Sequence, residues 1–268
     1  MRLRTRAIST TVLVAMLLGL NGSAAAYPFK HNLGPSSKGK DVRALEVRVA
    51  GWFPAHSQRL LRVDRNFGSR TLRAVKAFQR HYGLTVDGVA GPQTFRTLAH
   101  LEDGDGSTRH FSWAEFAQHR SSSCSRKAAR YAGTFHGGPV GHRAVKRHVM
   151  EMMWRLEAIR AKAHAPVIVE SGFRSIAYNR CIDGATVSQH LYGYAADIRM
   201  PGISAARERI MAKRSQIYGV SCYSSLGHNH LDLRIENREL PELHIWWWPD
   251  RDKAGRHLSD SGSPCWGE

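Results

Sequence analysis

Acidic residues are scarce in this 268-residue chain, with 22 Asp and Glu against 39 Lys and Arg and a formal net charge of +17 at pH 7. That imbalance suits a polyanionic partner but by itself specifies no activity. No RNA- or DNA-binding signature is interleaved with the basic residues, so nucleic acid is not the expected partner. Nowhere does the sequence reach the ~20 consecutive apolar residues that a membrane-spanning helix requires. Cysteine is rare too: Cys124, Cys181, Cys222 and Cys265 are the full set. None of them stands in the C-x₂₋₄-C spacing of a structural zinc site, which argues against a four-cysteine metal centre.

The longest apolar run, Val12 to Leu20, follows Arg2, Arg4 and Arg6 and precedes Ala24-Ala25-Ala26. A charged start, a short apolar core and small residues together read as a secretory signal peptide over residues 1–26, cut before Tyr27. Export makes an even number of cysteines a disulfide framework, with three possible pairings. Cys124 with Cys181 and Cys222 with Cys265 is the pairing expected here. A soluble, exported monomer is the expected product.

What remains after the signal exceeds one typical domain, so two are expected. Residues 27–40, rich in Gly, Ser, Pro and Lys, form a leader segment. From Asp41 a helical pattern begins with Val42, Leu45, Val47 and Val49. Leu72, Val75 and Phe78 repeat the helical spacing ahead of Gly83, and "GPQTFRTL" puts a proline at a helix start. The reading for residues 41–101 is a three-helix module with no cluster of groups able to do chemistry. Residues 102–110, "EDGDGSTRH", make a linker. A second domain over residues 111–268 opens with the short helix "FSWAEFAQH". A longer helix follows from Ala144 to His164, carrying Val145, Val149, Met152, Met153, Leu156, Ile159 and Ala163. "PVIVESGFRS" then reads as a buried strand running into a turn.

Unusual polar groups collect in three pieces of this second domain. "ESGFRS" puts Arg174 just past an apolar strand. "SQHLYGYAADI" sets Ser188, His190, Gly193 and Asp197 in an otherwise apolar stretch. "GHNHLDLR" alternates His228, His230 and Asp232 with Asn229, Leu231 and Leu233, and in a strand that alternation turns the three polar side chains to one face. Two imidazoles and a carboxylate are a common zinc set that leaves a fourth position open for catalysis. The chain holds 15 histidines, so isolated ones such as His56, His81 and His100 carry no weight. Arg174, at a strand end, suits bidentate binding of a substrate carboxylate.

Two resemblances add to this reading. Phe67-Gly68, Thr71, Ala74-Val75, Phe78-Gln79, Gly83-Leu84, Val86-Asp87-Gly88, Gly91-Pro92 and Thr94 resemble the repeat of the peptidoglycan-binding domain found beside many wall hydrolases. "SGFRS", "SQHLYGYAAD" and "HNHLD" resemble the S-G-x-R-S, S-x-H-x-x-G-x-A-x-D and H-x-H motifs of the zinc D-alanyl-D-alanine carboxypeptidase family, which also holds dipeptidases and L-alanyl-D-glutamate peptidases. The second resemblance implies that His190, Asp197 and His230 bind one Zn²⁺. It also implies that Arg174 holds the terminal carboxylate of a D-Ala-D-Ala-ended wall peptide and that His228 hydrogen-bonds the oxyanion. Ser188 and Asp232 are expected behind the ligands, since ligand imidazoles usually donate their other N–H to an oxygen.

One position departs from the family pattern: many members carry an acidic general base three residues before the last ligand, where this chain has Gly227. The base is therefore left open: it comes from elsewhere, His228 takes the role, or the enzyme is impaired, and although Glu239 and Glu242 are near in sequence, nothing places their carboxylates at the zinc. Two other readings stand beside the carboxypeptidase, an endopeptidase acting on cross-links and a non-catalytic wall-binding protein with a structural metal. The expected fold is α+β: a small helical domain, then helices packed on an antiparallel sheet whose strands carry Arg174, Asp197 and His230.

Overall fold

In a computed structural model, the residues described are 29–54, 61–119, 124, 130–223, 228–233 and 246–248, the last three and Ser221–Tyr223 by their backbone alone. The signal-peptide reading, Gly227, Glu239, Glu242 and Cys265 lie outside them.

The first half is helical, as its spacing predicts. Helix α1 spans Lys40–Val49 and tightens into a 3₁₀ turn at Ala50–Trp52. Helix α2 covers Ser69–His81, and α3 covers Pro92–His100 with its proline in the first turn, where a missing N–H costs nothing. Val42, Leu45, Val75, Phe78 and Leu98 are buried together. The Gln79 amide pins the following turn, donating to Asp87 Oδ1 at 2.8 Å and accepting from Gly88 N at 2.9 Å.

In the second half, α4 is the short helix Trp113–Phe116, opened by a reciprocal capping box between Ser112 and Glu115. Helix α5, His142–Ala163, is the long one. Val145, Val149, Met152, Met153, Leu156 and Ile159 turn to the core of this half. Trp154 and Ala158, on its other side, belong to the core of the helical module. The helix is therefore a wall shared by both halves, which is why apolar residues recur nearly all round its middle. Truncating the fully buried Trp154 to alanine would cost roughly 3–5 kcal/mol.

Polar contacts seal the same seam. Arg43 pairs with Glu151 at 3.3 Å, Arg155 Nη1 donates to Val47 O at 3.2 Å, and Lys162 Nζ donates to Gly51 O at 2.6 Å. The segment expected as a linker is itself folded. Glu102 bridges to Thr108 across a tight turn and pairs with Arg48 at 2.6 Å, while His110 meets Glu157 at 2.9 Å.

Strand β1 is Ile168–Ser171, followed by α6, Ile176–Cys181. A 3₁₀ turn at Gln189–Tyr192 leads into β2, Ala195–Arg199, and α7 spans Ala205–Arg214. Strands β3, Gly219–Tyr223, β4, His228–Asp232, and β5, Trp246–Trp248, complete the sheet. Its order is β1-β2-β4-β3-β5, with every pair antiparallel except β3 and β5, which run parallel. The architecture is α+β. Arg174 corrects one detail of the expectation: it lies three residues past β1, in the connection to α6, and not on a strand.

Candidate metal centre

Strand register creates the site. On β2, Ala196 and Ile198 face the core, so alternation turns Ala195 and Asp197 to the opposite face. Asp197 sits opposite His230 of β4 on one side and Ser171 of β1 on the other, where a bulge between Val169 and Ser171 shifts the pairing. Directly opposed residues bring their Cβ atoms within roughly 4.5–5.5 Å, so a carboxylate and an imidazole placed there must meet. Asp197 Oδ1 lies 2.9 Å from His230 Nδ1.

His190 arrives from the 3₁₀ turn that precedes β2. Gly193 ends that turn at φ +79°, in the left-handed region that favours glycine. A Cβ there would also stand 2.8 Å from Val145 O on α5, so the site allows no side chain. The turn presents His190 Nε2 to Asp197 Oδ1 at 3.2 Å and to His230 Nδ1 at 3.1 Å.

Second partners fix the tautomers. His190 Nδ1 donates to the Gly172 carbonyl at 2.6 Å, and because a carbonyl only accepts, the neutral ring must leave Nε2 bare. His230 Nε2 lies 3.2 Å from Asp232 Oδ2, which likewise turns the Nδ1 lone pair inward when that ring is neutral. Asp232 thus stands where the motif places a supporting oxygen. Ser188 does not: it opens the 3₁₀ turn without a side-chain cap, and the oxygen behind His190 belongs to Gly172 instead. That carbonyl is invisible in the sequence pattern. Gly172 itself is pressed against Phe116, whose O would be 2.6 Å from any Cβ.

Arg174 reaches the other carboxylate oxygen, with Nη2 donating to Asp197 Oδ2 and Nε to Ser171 Oγ at 3.0 Å. Two of its donors are thereby committed within the protein. His228 is half-buried on β4, two residues before His230 and so on the same face.

Electrostatics follow from this crowding. Burial pulls the His190 pKa down to about 4, and the nearby Arg174 charge adds to the effect. Burial works the same way on His230, but its hydrogen bonds to Asp197 and Asp232 prevail and push it to about 9. Burial tends to raise Asp197, yet the two imidazoles and Arg174 hold it well below the usual carboxylate range.

These residues fit a zinc ion. The donor atoms of His190, Asp197 and His230 lie within 4.8 Å of one another, the one such group among the described residues. Tetrahedral zinc with bonds of roughly 2.0–2.2 Å sets its ligand atoms roughly 3.3–3.6 Å apart, slightly wider than the 2.9–3.2 Å separations here. The bare Nε2 of a neutral His190 faces a carboxylate oxygen, acceptor against acceptor. A shared cation resolves that opposition.

Comparison with known proteins agrees in both halves. Residues 109–232 match the family described as Peptidase M15, and residues 38–98 match the putative peptidoglycan binding domain. The stretch similar to peptidase M15 thus follows the one similar to the peptidoglycan-binding domain. The centre just described lies inside the peptidase M15 match. The chain is 36% identical over 173 residues to the zinc D-Ala-D-Ala carboxypeptidase of Streptomyces albus G, an alignment covering 64% of this chain and 62% of that protein. Two amidases are similar over shorter stretches. The N-acetylmuramoyl-L-alanine amidase CwlM of Mycobacterium tuberculosis is 37% identical over 73 residues, 26% of this chain and 16% of the amidase. The corresponding amidase CwlL of Bacillus licheniformis is 31% identical over 87 residues, 30% of this chain and 24% of that protein. No helix among the described residues is long and apolar enough to cross a membrane.

Cys124 and Cys181 are joined, with Cα atoms 5.7 Å apart, as expected. Cys222 lies on β3, and its expected bond to Cys265 falls outside the described residues.

Proposed function

We propose that this protein is a secreted, monomeric zinc metallopeptidase that removes the C-terminal D-alanine from D-Ala-D-Ala-ended peptidoglycan peptides. The observation that carries this reading is the buried convergence of His190 Nε2, Asp197 Oδ1 and His230 Nδ1, with both rings turned inward by Gly172 O and Asp232. The Streptomyces relative bears this activity in its name.

In this reading His190, Asp197 and His230 hold the ion, which when bound polarises a carbonyl and acidifies a water. Asp232 and the Gly172 carbonyl keep the two imidazoles in the ligating tautomer. Arg174 steadies Asp197 through Nη2 and draws the free carboxylate of the peptide with its remaining edge. His228, on the face of His230, donates to the oxygen that becomes negative as the amide is attacked. The helical module holds the enzyme on the wall, and the net charge of +17 of the full chain before processing favours that polyanionic surface.

Incubating zinc-loaded protein with a short D-Ala-D-Ala peptide and with cross-linked peptidoglycan tests this. Free D-alanine from the peptide, absent in His190→Ala, is the expected result. New amino groups from the polymer alone would make the enzyme an endopeptidase. Silence with both substrates would leave a wall-binding protein with a structural metal.

A further inference from the structure

Behind the metal centre, on the core side of the sheet, two polar side chains meet. Alternation turns His228 and His230 to the metal face of β4 and the residue between them, Asn229, to the core face, where it stands opposite Ile198 of β2. Asn229 and Glu208 of α7 are both buried at a layer that holds Ile198, Met211, Ala212, Val220 and Leu231.

Glu208 joins the two strands that carry Asp197 and His230. Its Oε1 accepts from Met200 N, one residue past the end of β2, at 2.8 Å, and its Oε2 accepts from Asn229 Nδ2 on β4. Among the described residues no cation pairs with this carboxylate, and the buried Oδ1 of Asn229 has no hydrogen-bond partner. A buried charge without a cation and a buried amide oxygen without a donor are both costly. For stability alone, apolar side chains of the same shape would serve as well or better. What the pair supplies is direction. Apolar contacts fix no angle, whereas a hydrogen bond to a carboxylate sets both distance and orientation. The residue held in this way lies between His228 and His230, one ladder step from the Asp197 and His230 pair.

We propose that Glu208 is a positioning residue of the metal centre: from the core side it holds Asn229, and through that residue it sets where His228 and His230 present their rings on the opposite face. Its second oxygen, on Met200 N, keeps β2 and β4 in the same frame. The inference rests on the metal assignment to His190, Asp197 and His230, and not on the identity of the substrate.

Exchanging donor and acceptor tests it. Asn229→Asp sets two carboxylates against each other, and adding Glu208→Gln restores one amide facing one carboxylate with the roles reversed. In Asn229→Asp, zinc affinity measured by competition with a chelating dye should fall roughly tenfold or more, and the visible absorption bands of the cobalt-substituted protein should shift. The double variant should recover both. A role confined to stability would lower the thermal midpoint and leave the cobalt bands of the folded protein in place. Wild-type zinc affinity and cobalt bands in Asn229→Asp, or a double variant no better than the single one, would overturn the proposal. Should Asn229→Asp fail to fold, Asn229→Ser takes its place, since it removes the bond without adding a charge: the same loss upholds the proposal and wild-type values overturn it. If the wild type takes up no metal, the metal assignment fails, and the ring ¹⁵N resonances of His228 and His230 in the metal-free proteins decide. Movement in Asn229→Asp that the double variant reverses upholds Glu208, and resonances that stay fixed overturn it.

Discussion

Asp197 stands directly across the β2–β4 ladder from His230, its Oδ1 2.9 Å from Nδ1 of the imidazole, while its other oxygen is held by Arg174. One carboxylate therefore ties two strands and the turn carrying His190 into a single unit.

Asp232 supports that unit from behind His230. Asp232→Asn preserves size and burial but weakens the bond that fixes the ring. Zinc affinity, measured by competition with a chelating dye, is expected to fall about 10–100-fold with the fold retained. An unchanged affinity would show that the tautomer of His230 is set by something else.

Gly193 delivers His190, and its φ of +79° together with the nearby Val145 carbonyl leaves no room for a methyl group. Gly193→Ala is expected to lose roughly 1–3 kcal/mol of stability and to misplace the ligand. Chemical denaturation and zinc titration should show both losses together. Reduced stability with intact zinc binding would mean that the turn tolerates the strain locally.

The Cys124–Cys181 bond spans 57 residues of sequence. Chain-entropy arguments give about 4 kcal/mol for a loop of that size, as an upper figure. The double variant Cys124→Ser/Cys181→Ser should melt several degrees lower than the wild type under non-reducing conditions. Equal melting of variant and wild type would contradict this.

Glu46 is fully buried, accepting from Thr71 Oγ1 at 3.1 Å and Arg65 N at 3.0 Å, and burial raises its pKa to about 7 from 4.5. Between those values the folded chain keeps a proton that the unfolded chain releases, so this residue's contribution to stability falls as pH rises from about 4.5 to 7. Glu46→Gln removes the ionisation, and the Thr71 hydroxyl can turn to accept from the new amide. The variant should gain on the order of 2 kcal/mol relative to wild type between pH 5 and pH 8. A stability difference independent of pH would show that Glu46 ionises in the fold as freely as in the unfolded chain.

Much of this was legible in the sequence, for local reasons. Helical spacing placed one helix from Asp41 and another over Ala144 to His164, and α1 and α5 occupy Lys40–Val49 and His142–Ala163. Alternation put His230 and Asp232 on one face, and they touch. The contacts that escaped are those made by distant segments. The Gly172 carbonyl behind His190 has no side-chain signature. The Arg174 bond to Asp197 depends on a strand register that no local pattern encodes. The segment expected as a linker, residues 102–110, is held by Arg48 at one end and Glu157 at the other, partners that lie far away in the sequence.

The most direct test of the central claim is the zinc content of the purified protein after dialysis against buffer with trace zinc, compared with His190→Ala and Asp197→Ala at matched circular dichroism. One zinc per chain in the wild type and almost none in either variant is the predicted result. Stoichiometric zinc retained by the folded variants would place the metal elsewhere and contradict the assignment of His190, Asp197 and His230.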